Sequence, residues 1–269
     1  MADASPAIDP PEDIAAAIAD TCVDKATLPA GKVIGLGVLA GAYIGFGSLV
    51  AVLIGAGVGD LPYGLTQVAA GIGFALGLIL VLLAGAELFT GNTLMTLALA
   101  QRRIGPGQLL RAWGLVWLAN LVGALLLVLL AIGAGLHLAG DGAFAASAIE
   151  LAAEKASKSA ASIIASGILA NMLVCVAVWM AAGAKSAVDK VAVIVPPVAA
   201  FVALGLEHSI ANMSLLPLGL LAQMATGAEL PAGLSWGAAG ISLLWSTLGN
   251  IIGGGGIGLA YWAIYLRAR

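Results

Sequence analysis

The sequence predicts an all-α membrane protein of six transmembrane helices, arranged as an inverted three-plus-three repeat in which the second and fifth helices are broken. Three observations carry that prediction. Of the 269 residues, 61% are hydrophobic and only 9% are charged, where a soluble domain carries about 25% charged residues. Six long apolar runs follow one another, at about 33–58, 66–100, 108–136, 160–183, 191–226 and 235–266. The two longest contain short stretches that match each other, GAELFTGN at 85–92 and GLEHSIAN at 205–212. The net charge of −3 is too small to argue for nucleic acid or an acidic substrate as a partner.

The chain divides into an N-terminal segment, 1–31, and a channel-like domain, 32–269. The opening residues are acidic and lack the basic-then-apolar order of a signal peptide. Ile14, Ile18 and Cys22 recur every fourth residue, so 12–25 reads as a short amphipathic helix on the membrane surface; a polar tail with an accidental stripe is the plain alternative. Cys22 and Cys175 form no disulfide framework and read as small apolar residues, with redox sensing the alternative.

A bilayer core needs about 20 helical residues. Four of the apolar runs suit single spans, whereas the second and fifth are about 35 residues long. The second is interrupted by Gly85–Asn92; the fifth contains Pro196-Pro197 and then Gly205–Asn212. Basic residues set the orientation. Lys25, Lys32, Arg102, Arg103, Arg111, Lys185, Lys190, Arg267 and Arg269 all fall on one side of a six-span chain, predicted to be the cytoplasm, with both termini inside. Lys155 and Lys158, in the third-to-fourth link, are the exceptions.

The two interruptions share the pattern Gly-x-Glu-x-x-x-x-Asn at a separation of 120 residues, and NLVG at 120–123 matches NIIG at 250–253. Two matches in the same order, each within an overlong run and a later one, suggest duplicated halves. With three spans per half, the copies lie upside down relative to each other. Broken helices in such architectures meet near the bilayer midplane, where their N-terminal N–H groups favour anions.

The ionisable residues within the spans are Glu87, Glu207 and His208. Such groups are costly to bury and point to function. Glu87 and Glu207 occupy matching positions, as do Asn92 and Asn212 beside them in support of the breaks. This suggests that the glutamates share a structural task, capping the breaks by accepting backbone N–H bonds, with a direct role in transport the alternative. His208 has no counterpart, since Leu88 stands in its place. It is therefore the better candidate for chemistry, against the alternative of a buried histidine satisfied by hydrogen bonds. A lone histidine is too few ligands for a metal, and no cofactor or enzymatic constellation is expected. His137 reads as a surface residue near the end of run three, and GGGGIG at 253–258 as close helix packing or a subunit contact.

GAELFTGN, ILANMLVCVAVWM at 168–180 and EHSIANM together resemble the formate–nitrite transporter family over about residues 30–266. The resemblance implies an aquaporin-like protomer in a homopentamer within the inner membrane, each protomer carrying its own pore for formate, nitrite or hydrosulfide. It implies that His208 is the central histidine, with Thr90 and Asn171 as polar neighbours. It further implies that Phe74 and Phe201 form an outer constriction, that Leu78, Leu88 and Phe89 lie nearer the inner slit, and that Lys155 attracts anions at the outer vestibule. Without it, the phenylalanines would be ordinary packing and Lys155 a solvated loop charge. An apolar pore penalises a bare anion, and His208 could lower that penalty by lending a proton, making protons a further partner. A neutral-solute channel of the aquaporin type is the competing class, but its Asn-Pro-Ala is here Asn-Thr-Leu and Asn-Met-Ser.

Overall fold

The computed structural model describes residues 8–57, 59 and 61–267; residues 1–7 of the N-terminal segment, and Arg269 among the basic residues counted above, lie outside them. Helix α1, Pro11–Thr27, starts on a proline, carries Glu12 and Asp13 in its first turn and Lys25 in its last, each placed to complement the helix dipole. Its stripe of Ile14, Ile18 and Cys22 is buried against protein, including Met95, Leu97, Leu109 and Trp179. A membrane surface is therefore not what the stripe faces. Ion pairs hold α1 in place, Asp20 with Arg103 at 2.7 Å and Asp9 with Lys185. Burial, foremost among several influences, pushes the Cys22 thiol up to about 12, which keeps it protonated and inert.

Helices α2 (Ala30–Gly55) and α3 (Tyr63–Ala84) come next. Residues 85–88 are not helical, and the chain resumes as α4 (Phe89–Asn92), a 3₁₀ turn and α5 (Thr96–Ala100). Helix α6 (Pro106–Gly133) follows, then α7 (Ala143–Ser157), which turns the third-to-fourth link into a helix with Lys155 buried on it. Helix α8 (Ala160–Gly183) leads to α9 (Ala187–Ala203), residues 204–208, α10 (Ser209–Thr226) and α11 (Trp236–Tyr261). Among the described residues, α2, α3, α6, α8 and Trp236–Leu266 are long and apolar enough to cross a membrane. The fifth apolar run is instead divided between α9, 17 residues, and α10, 18 residues.

Helix α2 packs on α3 and α6, and α8 packs on α9 and α11. The α2–α6 and α8–α11 contacts are backbone-close. A Cβ on Gly123 would collide with the Val38 carbonyl, and one on Gly253 with the Ile168 carbonyl. Small residues allow apolar helices to approach until dispersion and polar contacts act between backbones. The approach lets one asparagine side chain on α6, and another on α11, reach across to a neighbouring helix.

Candidate functional site

In the non-helical segment at 204–208, Leu204 caps α9 and Gly205 follows with a φ of +63° in the left-handed region that glycine adopts without penalty. Leu206 N–H then donates back to the Phe201 carbonyl at 3.0 Å. Asn250 of α11 serves both ends of the gap. Its amide donates to the Glu207 carbonyl at 3.0 Å and to the Gly167 carbonyl at 2.8 Å, while its oxygen accepts from Ser209 N–H at 2.7 Å. The Glu207 carboxylate, fully buried, accepts from Lys155 Nζ at 3.0 Å, Lys158 Nζ at 2.8 Å and Asn212 Nδ2 at 2.8 Å.

The segment at 85–88 uses the same parts. Gly85 has φ +75°, and Ala86 N–H donates to the Val81 carbonyl at 2.9 Å. Asn120 of α6 donates to the Glu87 carbonyl at 2.9 Å and the Gly37 carbonyl at 2.8 Å, and accepts from Phe89 N–H at 2.9 Å. Glu87 accepts from Asn92 Nδ2 at 2.8 Å and from Lys25 Nζ at 3.2 Å; Lys25 also donates to Asn92 Oδ1 at 2.8 Å. The glutamate side chains thus bind lysines and side-chain amides and, among the described residues, cap no backbone N–H group. That capping belongs to Asn120 and Asn250. The NLVG/NIIG match held the signal for them, but a match alone does not say which backbone atoms an asparagine will reach.

Between the two segments, His208 Nε2 lies 2.9 Å from Thr90 Oγ1, and Nδ1 accepts the Ala211 N–H at 3.1 Å. A neutral ring that accepts at Nδ1 carries its hydrogen on Nε2. It therefore donates to Thr90, whose own hydroxyl hydrogen remains available to a third group. Phe201 stacks on His208 with centroids 5.6 Å apart, and Phe74 meets Phe201 edge-on at 5.6 Å. Leu78 is buried one turn beyond Phe74 on α3. Among the described residues, Asn171 makes no hydrogen bond to His208. Its amide nitrogen faces the Thr90 carbonyl at 3.2 Å, Thr93 Oγ1 at 3.0 Å and the Asn250 carbonyl at 2.7 Å.

A cavity of about 420 Å³ is lined by Phe74, Phe201 and His208 and also by Lys155 and Lys158. A second, of about 190 Å³, is lined by Leu88, Asn92, Lys25 and Lys190. Thr90, Leu78 and Phe89 line neither. Phe89 turns toward α6, its ring edge-on to Trp113 at 6.2 Å. Lys158 sits at the end of α7. Burial pulls its pKa down, but the Glu207 and Glu154 carboxylates outweigh that and hold it above the usual lysine value. Sequence reasoning counted Lys25 and Lys158 only as charges and did not connect them to the glutamates.

Two lysine-bearing cavities separated by a buried polar contact and apolar side chains suit passage of a small anion. The formate channel FocA of Escherichia coli (strain K12) is 39% identical over 262 residues, covering 91% of this chain and 90% of that protein. The nitrite transporter NirC of the same organism is 36% identical over 227 residues, covering 83% and 80%. Among solved structures, a pentameric formate channel with formate bound superposes with a TM-score of 0.80 at 34% identity, covering 88% of this chain and 98% of that one. An FNT family ion channel superposes with a TM-score of 0.82 at 32% identity, covering 93% and 98%. These relatives are channels and transporters, not enzymes. The family model for the formate/nitrite transporter matches residues 12–263, and the chain is a membrane protein that belongs to that family.

Proposed function

We propose that this chain is an inner-membrane channel for a small monovalent weak-acid anion, formate foremost, with one pore in each protomer of a homopentamer. The observation that carries the reading is the buried His208–Thr90 contact between two cavities that each present lysines. Likeness to a formate channel at 39% identity and to a formate-bound pentamer supports the choice of anion and assembly. Similarity to a nitrite transporter at 36% identity keeps nitrite as a second substrate, and hydrosulfide shares its size and charge. In this reading the six spans are α2, α3 with α4–α5, α6, α8, α9 with α10, and α11, in two inverted halves. Both termini are cytoplasmic, and the larger cavity opens outward.

Phe74, Phe201 and Leu78 exclude water and bare ions, because a dry constriction offers no replacement for hydration. Lys155 favours anions in the outer cavity. Leu88 narrows the inner side. Thr90 donates its spare hydroxyl hydrogen to the anion, and Asn171 holds the Thr90 backbone. His208 lowers the cost of passage by transferring a proton to the anion, which crosses as the neutral acid and releases the proton beyond the constriction. For that, the ring must first take a proton on Nδ1 from solvent reaching the larger cavity that His208 lines, so Ala211 N–H must let go; the neutral ring alone supplies only a hydrogen bond.

Flux of formate, nitrite and hydrosulfide into proteoliposomes, with internal pH recorded, tests this for the native chain and His208→Asn. The native channel should move one of these anions with protons, and His208→Asn should lose the proton component. Glycerol flux without anion flux would reject the anion reading in favour of a neutral-solute channel.

A further inference from the structure

Lys158 Nζ donates to the Gly205 carbonyl at 3.2 Å and to Glu207 Oε1 at 2.8 Å, and it forms an ion pair with Glu154 Oε1 at 3.2 Å. Two of these are fixed. The Gly205 carbonyl is backbone, and the Glu207 side chain is 0% exposed. The third is not, because the Glu154 side chain is 61% exposed and pairs with Lys158, four residues on at the C-terminal cap of α7. Gly205, Glu154 and Lys158 border the larger cavity, as does Lys155, whose Nζ has the buried Glu207 as its hydrogen-bond partner among the described residues. With two lysines on one buried carboxylate, one positive charge is left over, and Glu154 covers it.

We infer that Glu154 is a built-in competitor at an anion-docking site formed by Lys158 and Lys155, and that an incoming monovalent carboxylate binds by displacing the Glu154 carboxylate from Lys158. The exchange is near-isoenergetic in kind, one carboxylate for another on the same ammonium, so it sets affinity at the mouth without forming a trap. An exposed lysine–carboxylate contact is weak enough to be exchanged readily. The inference rests on the channel reading above and adds a specificity-determining residue to it.

Formate influx into right-side-out membrane vesicles, measured against external formate, separates the two. Glu154→Gln should lower the half-saturating concentration about two- to fivefold, the range of an exposed ion pair, with little change in maximal flux. Glu150→Gln, which removes another carboxylate of the same cavity without touching Lys158, should have less effect. In a Lys158→Gln background, Glu154→Gln should change nothing further. An equal response to Glu150→Gln and Glu154→Gln, or the same Glu154→Gln effect with and without Lys158, would mean general repulsion at the rim and overturn the inference. So would an unchanged half-saturation in Glu154→Gln. No formate, nitrite or hydrosulfide flux in the native chain would overturn the channel reading and this inference together.

Discussion

The segments around Glu87 and Glu207 are built alike and charged differently. In each, a left-handed glycine ends a helix, an asparagine from a distant helix holds a carbonyl and an N–H across the gap, and a second asparagine five residues on binds the glutamate. The cations differ in number and origin. Glu87 meets one lysine, Lys25, which comes from α1 and has a side chain 26% exposed. Glu207 meets two, Lys155 and Lys158, both from α7 and its C-terminal cap. The lesson is a division of labour: matched residues keep the helices open, and unmatched residues define what each cavity offers. The contact between the two segments, Thr90 with His208, is unmatched on both sides, since Ile210 and Leu88 hold the positions 120 residues away.

If the asparagines do the same work, breaking either should cost the same. Asn120→Ala and Asn250→Ala each remove the side-chain partner of one carbonyl and one N–H at a break. At about 1–3 kcal/mol per orphaned group, we expect each variant to lose about 4 kcal/mol. Thermal unfolding of the detergent-solubilised protein should show two similar, large decreases; a large drop in only one would break the equivalence.

The glutamates should separate where the asparagines do not. Glu207→Gln leaves two lysines facing a neutral amide, one of them only 8% exposed, and removing the partner of a buried ion costs about 3 kcal/mol or more. Glu87→Gln leaves Lys25, which has access to water, and should cost about 1 kcal/mol. The same unfolding assay should rank them in that order. Equal losses would show that Lys25 is as dependent on its partner as Lys155.

How much of this was legible in the sequence follows from the distances over which each feature is specified. Membrane character and the family lie in composition and in contiguous motifs, so they could be read directly. Glu87 with Asn92, and Glu207 with Asn212, are five residues apart, and repetition picked them out. Lys25 is 62 residues from Glu87, and Asn250 is 43 from Glu207; no local pattern says that such groups will meet. The stripe on α1 was visible, but whether lipid or protein covers it depends on Met95, Leu109 and Trp179 arriving from three other elements. Phe89 shows the same limit, since its direction is set by Asn120 holding its N–H and Trp113 receiving its ring.

The smallest expected effect tests the comparison most finely. Gly85 and Gly205 both sit at positive φ, and a Cβ on either would meet nothing within 4 Å. Alanine there pays only the backbone penalty of the left-handed region, about 1 kcal/mol, so both substitutions should lower stability slightly and equally. Flux should tell them apart. The N–H that follows Gly205 is bonded to the carbonyl of Phe201, whose ring lies between Phe74 and His208, whereas the corresponding bond after Gly85 ends on Val81. Strain at Gly205 therefore reaches the Phe74–Phe201–His208 cluster through one hydrogen bond, and strain at Gly85 reaches an aliphatic wall of the smaller cavity. Gly205→Ala should reduce formate flux about threefold and Gly85→Ala far less, since small misplacements matter most where groups must meet in one geometry. Equal flux in the two variants would place control of passage outside the Phe201–His208 stack.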